Sequence, residues 1–325
     1  MARRILITGA SGFIGRHVAR AALARQDLAV RLVTHTGTPD GHPPHRAEHV
    51  RADLREISSL RGLCRGVDTV VHCASLITGD DASLEAVNDR GTRALVADAQ
   101  RHGIRRVVYV STAAVYGPGP FRRAGAQALA VRPHSATSRT RAAAERHVLE
   151  AGGTVLRPHL VYGTGDTWVI PGLALLLGHL GAAVETNTLH SAVEADALAR
   201  AALAAALADT DLAGAHHVNH PRPVHATDLM AAALTHLALP ARRPLSTTQA
   251  AARLTQTPRA AHHLGMLTTD HWFDSEPIWQ LLNLDTGPDP LTGLARHAPW
   301  YEQQLRSHPR PRPLPGTGTG TGTGR

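Results

Sequence analysis

Three glycines near the amino terminus have the spacing of a phosphate-binding turn. Gly9, Gly12 and Gly15 lie in the stretch ILITGASGFIG, after a short apolar run and at the start of an amphipathic one. Glycine lets the backbone turn tightly and approach a pyrophosphate, whose charge is met by the amino-terminal end of the following helix. This is the first strand-to-helix turn of the chain, which is the context that such binding requires. We therefore predict a dinucleotide site in this loop, which also contains Ser11, Phe13 and Ile14.

The identity of the dinucleotide depends on the end of the second strand. NAD-binding proteins commonly place an acidic residue there to bind the ribose 2′-hydroxyl. Here the run VRLVTHTGT offers Thr34 and His35, and no carboxylate before Asp40. Arg16 follows the third glycine, near a helix amino terminus, where a cation is unfavourable unless an anion is close. A 2′-phosphate would be such an anion, and a solvated surface arginine is the alternative reading. We expect NADP(H), with His35 and Arg16 in its site.

Two groups of histidines have spacings that could suggest a metal site. One lies in HPPHRAEH, in a predicted proline-broken loop, and the other precedes Pro-Arg-Pro in a predicted connecting loop. They are His42, His45 and His49, and His216, His217 and His220. The chain contains 22 histidines, so chance clusters are expected, and the ligand type alone does not define a site. We predict no metal site.

Apolar runs alternate with amphipathic helical runs up to Gly163. The apolar runs are RRILITG, LAVRLVTH, VDTVVHCAS, RRVVYVSTAAVYG and TVLRPHLVYG, and helical spacing dominates GRHVARAALARQ, NDRGTRALVADAQRHG and TSRTRAAAERHVLEAGG. Near-continuous apolar strands between helices indicate a parallel sheet that is covered on both faces. The predicted fold class is therefore α/β, a doubly wound parallel sheet of the Rossmann type.

The pattern changes after Gly163. Strand-like runs become sparse, and helices such as VEADALARAALAAALAD and ATDLMAAALTHLALP mix with proline-rich connections. We predict a dinucleotide-binding domain over residues 1–163 and a smaller, mostly helical substrate-binding region over residues 164–308, which returns some chain to the sheet. The low-complexity stretch PRPRPLPGTGTGTGTGR predicts a disordered tail over residues 309–325.

Composition argues against several classes of protein. The formal net charge is +8, and the arginines that supply the positive charge are scattered along a chain with only 3% aromatic residues. That pattern does not suit nucleic-acid binding. Cys64 and Cys73 are the only cysteines, which indicates a reducing compartment. The chain enters its first strand without room for a signal peptide, and its most apolar later run is broken by Pro171 and His179. We expect a cytoplasmic protein that binds neither nucleic acid nor membrane.

Several motifs in order resemble the extended short-chain dehydrogenase/reductase family, in its NAD-dependent epimerase/dehydratase group. After TGASGFIG come ADL, VVHCAS, NDRGT, VSTAAVYG and VLRPHLVYG, and the resemblance covers about residues 3 to 235. It implies that Asp53 and Leu54 meet the adenine. It also implies a groove and a nicotinamide site that involve Cys73, Ala74, Ser75, Asn88, Ser111, Pro158 and His159.

The catalytic pair of that family is missing from the stretch SATSRTRAAAE, which runs from Ser135 to Glu145. By the family's spacing, Thr137 stands in the place of the tyrosine and Arg141 in the place of the lysine. Thr112 keeps the hydroxyl that positions the substrate oxygen. No tyrosine lies in this stretch, and the chain contains no lysine. A threonine is far too weak an acid to replace a phenol, and a guanidinium does not titrate, but Arg141 can still hydrogen-bond the nicotinamide ribose.

Three possibilities then remain for how the substrate is protonated, or whether the protein catalyses a reaction at all. A substrate phenol beside the ketone could donate it, or a histidine such as His134 or His159 could; otherwise the protein binds dinucleotide without catalysis. We expect an NADPH-dependent ketoreductase of a phenolic, polycyclic ketone with substrate-assisted protonation, because the chain resembles ketoreductases that tailor aromatic polyketides and lack the tyrosine. A sugar-nucleotide epimerase or dehydratase and a non-catalytic regulator are the alternatives. Both a monomer and a homodimer are compatible with the sequence.

Overall fold

A seven-stranded parallel sheet forms the centre of the molecule. The computed structural model describes residues 2–37, 47–239 and 241–306. In their order across the sheet, the strands are β12 (Gly214–His217), β7 (Thr154–Arg157), β5 (Arg106–Val110), β4 (Thr69–His72), β1 (Arg3–Thr8), β2 (Leu28–Thr34) and β3 (Ala47–Arg51). Every pairing between neighbours in this sheet is parallel. The predicted fold class is therefore confirmed.

Helices cover both faces of the sheet. On one face α1 (Phe13–Leu23) packs with α6 (Ala195–Leu207), and on the other lie α3 (Thr92–Arg101) and α4 (Ala136–Glu150). Successive residues of a strand point to opposite faces, so Ile5 and Ile7 join the core under α1 and α6, whereas Leu6 joins the core under α3 and α4. Both faces of the strands are thus buried, which explains their near-continuous apolar runs.

A second apolar core is formed mainly by residues after Gly163. It packs α5 (Val169–Leu180), α7 (Ala226–His236), α9 (Pro258–Leu267) and α11 (Pro290–Arg306) against one another. Tyr301 of α11 is fully buried. Its hydroxyl donates to the Asp166 carboxylate at 3.0 Å and accepts from the Gly163 N–H at 2.7 Å. This contact fixes α11 to the segment of chain that leads into α5.

Short elements complete the described part of the chain. A four-stranded sheet has the order β13 (Val224–His225), β10 (Leu189–His190), β15 (His271–Phe273) and β6 (Phe121–Ala124). Two strand pairs join β11 (Ala192–Glu194) to β8 (Leu160–Tyr162), and β14 (Leu245–Ser246) to β9 (Val184–Glu185). The remaining α-helices are α2 (Asp81–Leu84), α8 (Thr247–Arg253) and α10 (Glu276–Leu282), with a π-helix at Glu85–Gly91 and 3-10 helices at Ile57–Leu60 and Ala113–Tyr116. Within the described residues, no helix has the length and apolar character needed to cross a bilayer.

The structure corrects three local expectations. His216 and His217 belong to β12 at the edge of the sheet, where a connecting loop was expected, and His49 lies in β3. The run TVLRPHLVYG is two strands, β7 and β8, which belong to different sheets. In each case polar residues or a proline interrupt the apolar pattern, and pairing with a neighbouring strand decides the conformation. Of the residues named in the sequence analysis, Asp40, His42, His45 and the predicted tail at 309–325 lie outside the described residues.

A buried ion pair joins three segments of the chain. Arg157, at the end of β7, donates to the Glu145 carboxylate of α4 at 2.6 and 3.0 Å, and to the Tyr116 hydroxyl at 2.8 Å. The Arg157 and Glu145 side chains are only 5% and 2% exposed. Tyr116 ends a short 3-10 helix that follows β5. Because charges buried this deeply are compensated only by their partners, the pair fixes α4 against β7 and against the segment after β5.

Replacing Glu145 with alanine should lower the free energy of unfolding by about 3–5 kcal/mol, because Arg157 would stay buried without its partner. The matched control is Glu85→Ala, which breaks an exposed pair with Arg90 and should cost less than about 1 kcal/mol. Urea unfolding followed by circular dichroism measures both variants. Equal losses of stability in the two variants would contradict the role given to the buried pair.

Candidate active site

A cavity of about 1920 Å³ runs along the carboxyl ends of the central strands. Parallel strands bring the turns after β1, β2, β4, β5 and β7 to one edge of the sheet, which is where open α/β sheets bind ligands. The cavity brings together the predicted site residues with the exception of Arg16 and Asn88. Those that line it are Gly9, Ser11, Gly12, Phe13, Ile14, Gly15, His35, Asp53, Leu54, Cys73, Ala74, Ser75, Ser111, Thr112, Thr137, Arg141, Pro158 and His159.

The glycine loop leaves no room for side chains. Gly9 has a φ of +66°, and a Cβ atom there would lie 2.7 Å from the backbone nitrogen of Ala74. A Cβ atom at Gly15 would overlap the carbonyl oxygen of Gly9. Gly12 precedes α1 and has no side chain that could cap the first N–H groups of the helix. These free donors and the positive end of the helix dipole fit a pyrophosphate.

The arginine that lines the cavity near the end of β2 is not the predicted Arg16. Arg16 donates to the carbonyl oxygens of Ser11 and Gly12 at 3.0 and 3.3 Å, and it does not line the cavity. Arg55 does line it, close to the end of β2. Nothing in the sequence ADLRE distinguished Arg55 from a solvated arginine, so sequence reasoning missed it. The arginine that lines the cavity near the end of β2 thus lies after β3 in the sequence, whereas the predicted arginine lies on α1.

Arg55 holds the carboxylate of Asp53. Its guanidinium donates to Asp53 at 2.7 and 3.1 Å and lies 3.4 Å from Nε2 of His35. His35 Nε2 is itself 3.1 Å from the Asp53 carboxylate. The hydrogen bonds from Arg55 lower the pKa of Asp53 to about 2, although partial burial opposes this shift. Asp53 therefore stays ionised near neutral pH, and the guanidinium of Arg55 balances its negative charge.

Asn88 supports the groove without lining it. Its amide oxygen accepts from the Leu76 N–H at 2.8 Å and from the Ser75 hydroxyl at 3.2 Å, and its amide nitrogen donates to the Thr140 hydroxyl at 3.0 Å. Asn88 is 1% exposed, so it holds the turn after β4 against α4. In the same turn, burial raises the pKa of the Cys73 thiol to about 12. Cys73 is therefore a neutral wall of the groove.

The two threonines predicted for catalysis differ in the use of their hydroxyls. Thr112 accepts from the Ala114 N–H at 3.1 Å, which leaves its hydroxyl hydrogen available to a substrate oxygen. Thr137 donates its hydroxyl hydrogen to the Ile77 carbonyl at 3.1 Å. Thr112 is thus arranged to position a ligand, whereas the Thr137 hydroxyl is already engaged with the backbone.

Arg141 is bound to the end of β5. Its guanidinium donates to the Val110 carbonyl at 2.7 Å and lies 5.6 Å from the centre of the Tyr109 ring. The side chain is 9% exposed, and its Nε has no partner among the described residues. A guanidinium has five N–H groups, so Arg141 can still donate to a ribose hydroxyl. It does not release a proton near neutral pH.

Of the two histidines considered as proton donors, His159 lines the cavity and His134 does not. His159 follows Pro158, and its backbone N–H donates to the Asn219 side chain at 2.7 Å. Burial, with a further contribution from neighbouring histidines, holds the pKa of the His159 imidazole well below its usual value. The ring is therefore uncharged near neutral pH and a poor proton donor. His134 is exposed just before α4.

No tyrosine of the chain reaches the cavity. All four lie within the described residues and are buried, and none lines it: Tyr109, Tyr116, Tyr162 and Tyr301. Burial raises the pKa of each phenol. A phenol from elsewhere in the chain therefore does not take the place that Thr137 occupies.

The part of the cavity formed by residues after Gly163 is largely apolar. Arg259 and Asp166 are its only charged residues among those described, if histidines are set aside. Its apolar lining comes from α5, α7, α9 and α11 and includes Val169, Leu173, Leu229, Met266, Leu267 and Leu305. The sequence assigned this region to substrate binding but did not single out these side chains, because they meet only through long-range packing of four helices.

Comparison with known proteins finds a family model and curated relatives that match part of this chain. Residues 5–184 match the model of the NAD dependent epimerase/dehydratase family. A 4-hydroxy-2-methyl-3-oxo-4-farnesyl-3,4-dihydroquinoline-1-oxide ketoreductase of Stigmatella aurantiaca is 31% identical over 179 residues, 52% of this chain and 54% of that protein. Sterol demethylase protein B of Methylococcus capsulatus is 34% identical over 175 residues, 50% of this chain and 52% of that protein. The chain thus spans about half the length of these curated relatives.

Solved structures share the architecture at lower identity. WbmH of Bordetella bronchiseptica in complex with NAD+ has a TM-score of 0.74 at 20% identity, over 93% of this chain and 99% of that one. MoeE5 in complex with UDP-glucose and NAD has a TM-score of 0.70 at 20% identity, with the same coverage. At these identities the likeness shows the fold alone. The family model, by contrast, matches more than half of the sequence, and the chain belongs to the NAD dependent epimerase/dehydratase family.

Proposed function

We propose that the protein is an NADPH-dependent ketoreductase that reduces a carbonyl of a phenolic, polycyclic compound of the aromatic polyketide kind. The observation that carries this proposal is the cavity of about 1920 Å³, in which the glycine loop and a largely apolar compartment meet. Pockets for single small ligands usually measure about 300–1,000 Å³. The cavity therefore has room for a dinucleotide and a bulky apolar ketone together.

The names of curated relatives support a bulky apolar substrate. One relative is named a ketoreductase of a farnesylated dihydroquinoline oxide. Others are named sterol demethylase protein B and 3 beta-hydroxysteroid dehydrogenase/isomerase. These names describe those proteins, and each matches this chain over about half of its length. Together with the apolar lining, they favour a large ring system over a small polar substrate.

The proposed cofactor is NADPH, which supplies the hydride when bound. Residues 1–163 would hold it, with the pyrophosphate at the glycine loop, the adenine beside Asp53 and Leu54, and the nicotinamide beside Pro158. The end of β2 offers His35 where NAD sites commonly offer a carboxylate. Arg55 lies beside His35 in the cavity, so a 2′-phosphate there would find a cation.

A sugar-nucleotide epimerase or dehydratase is the main alternative. The diphosphate of such a substrate needs cationic partners, and Arg259 is the only arginine among the described residues that line the cavity after Gly163. Deprotonation of an unactivated sugar hydroxyl also needs a base that Thr137 cannot supply. A non-catalytic dinucleotide sensor would need neither the apolar compartment nor the free hydroxyl of Thr112. The reductase accounts for both features.

The residues near the nicotinamide end can orient a substrate oxygen, but they cannot protonate it. Thr112 has a hydroxyl hydrogen to donate to the oxygen, whereas the hydroxyl of Thr137 is engaged with Ile77. Arg141 keeps its protons, and the lowered pKa of His159 leaves its imidazole neutral. We therefore infer that the substrate supplies the proton.

A phenol beside the ketone balances the reaction. Hydride addition to the carbonyl carbon moves the π electrons onto the carbonyl oxygen, and that oxygen takes the proton of the neighbouring phenol. The phenolate is stabilised by its own ring and later takes a proton from water. A positioned general acid contributes about 10²–10⁴-fold in rate, which is the contribution that the phenol replaces.

Conversion of the adjacent phenol to a methyl ether should lower the turnover of a hydroxylated polycyclic ketone by about 10²–10⁴-fold, because the acid is lost and the hydride acceptor is kept. The matched control is the isomer with its methyl ether on a remote ring, which should turn over like the free phenol. NADPH oxidation and chromatography of the alcohol measure both. If the adjacent ether turns over as fast as the free phenol, substrate-assisted protonation is wrong.

Arg55→Ala should weaken NADPH binding by about 10-fold or more and change NADH binding little, because a hydrogen bond to a charged group contributes about 1.5–3 kcal/mol and only NADPH carries the 2′-phosphate. Arg90→Ala is the matched control, since it removes an exposed, acid-paired arginine that does not line the cavity. Fluorescence titration with each dinucleotide gives the dissociation constants. Equal weakening of both cofactors, or a wild-type preference for NADH, would rule out the proposed specificity.

A further inference from the structure

Three histidines from distant parts of the sequence meet at the cavity. His159 follows β7, His190 ends β10 and His271 begins β15. Each offers one ring nitrogen, and the three nitrogens lie within 4.8 Å of one another. His159 and His190 line the cavity, and His190 and His271 are only 1% and 8% exposed. The cluster therefore presents imidazole nitrogens to the compartment next to the nicotinamide-side turn.

The three rings lie close together, and their planes are within 13–23° of one another. Their centres are 5.0 Å apart for His159 and His271, 5.9 Å for His159 and His190, and 5.8 Å for His190 and His271. The point equidistant from them lies about 3.2 Å from each centre. A zinc–imidazole bond of about 2.0–2.1 Å, extended by the roughly 1.1 Å from a nitrogen to its ring centre, gives the same distance. The spacing thus suits three imidazoles around one divalent ion.

Lone pairs in the cluster have no protein donor. Nε2 of His190 donates to the Leu267 carbonyl at 3.1 Å, so its Nδ1 bears a lone pair. That Nδ1 and the Nε2 of His159 are buried without a partner among the described residues. Nδ1 of His271 lies 2.8 Å from the Thr269 carbonyl, and the ring also makes a hydrogen bond with the Pro118 carbonyl. Carbonyl partners of this kind orient metal-bound histidines, and buried lone pairs without a donor are costly.

Aromatic side chains pack beside the cluster. Phe121 lies 5.7 Å from the ring centre of His271, and Phe273 lies 5.6 Å from that of His159. Such an apolar shell limits the access of water to the nitrogens.

We propose that His159, His190 and His271 bind a divalent transition-metal ion of the zinc type, with an open coordination position toward the cavity. Imidazole ligands suit zinc, and three protein ligands with one open position are typical of catalytic zinc sites. The role of the ion in reduction rests on the proposed function: a ketone oxygen in the open position would have its developing charge stabilised by the cation. Binding of the ion does not depend on that function.

Titration of untagged, chelator-treated protein with Co²⁺ tests the site, because the visible absorption of Co²⁺ reports low coordination by nitrogen. Wild-type protein should bind one ion per chain with that absorption, and Zn²⁺ should displace it. Loss of a residue that only orients a metal ligand typically weakens metal binding by about 10–100-fold. His190→Gln removes a proposed ligand and should therefore weaken Co²⁺ binding by more than that. The matched control is His216→Gln, a half-buried histidine of β12 outside the cavity, which should bind like wild type.

Three results would overturn the metal site, and two of them concern the form of the Co²⁺ binding. The first is Co²⁺ binding that is equal in wild type and His190→Gln. The second is a weak, six-coordinate spectrum alone, as expected for scattered surface sites among 22 histidines. NADPH titration of the same samples shows whether each variant is folded. Protein that binds NADPH but no metal disproves the metal site and leaves the proposed ketoreductase standing, because the dinucleotide loop is then intact.

Discussion

The buried contact between Glu145 and Arg157 is the interaction on which the candidate site depends. It joins α4 to the end of β7 and, through the hydroxyl of Tyr116, to the segment after β5. These three segments carry Arg141, the turn at Pro158 and His159, and the hydroxyl of Thr112. An ion pair in an apolar core is costly to form and more costly to break on one side. Its geometry therefore holds the three walls of the site in one arrangement.

One helix usually both positions the reactants and donates the proton, and in this site the two roles are separated. α4 still presents a guanidinium and a hydroxyl at the cavity, but both are engaged with the backbone of neighbouring segments. Under the proposed function, α4 therefore positions cofactor and substrate but donates no proton. Hydride transfer is the chemistry of the cofactor, so a scaffold that only aligns the reactants can still catalyse reduction. The proposed substrate completes the site by bringing its own acid.

Features that depend on a few neighbouring residues could be predicted from the sequence. Glycine is required at positions 9 and 15 because a Cβ atom there would clash with backbone atoms of the same turn or of the adjacent turn. The buried strands are visible in the sequence as apolar runs. Features built by distant residues could not. His190 and His271 lie in strands of two and three residues, too short to show a period, and meet His159 only in the folded chain. β12 was missed because its sequence GAHH has no β-branched residue, and only pairing with β7 makes it a strand.

The most direct measurement is the transfer of deuterium in a single turnover. Purified protein would be mixed with NADPH deuterated at the transferable position and with a hydroxylated aromatic polyketide ketone, and the alcohol would be analysed by mass spectrometry. We expect one deuterium at the carbinol carbon, since the hydride can be transferred without a catalytic tyrosine or lysine. If NADPH binds and no deuterium reaches any such ketone, the reductase is wrong, and dinucleotide sensing becomes the better description of the protein.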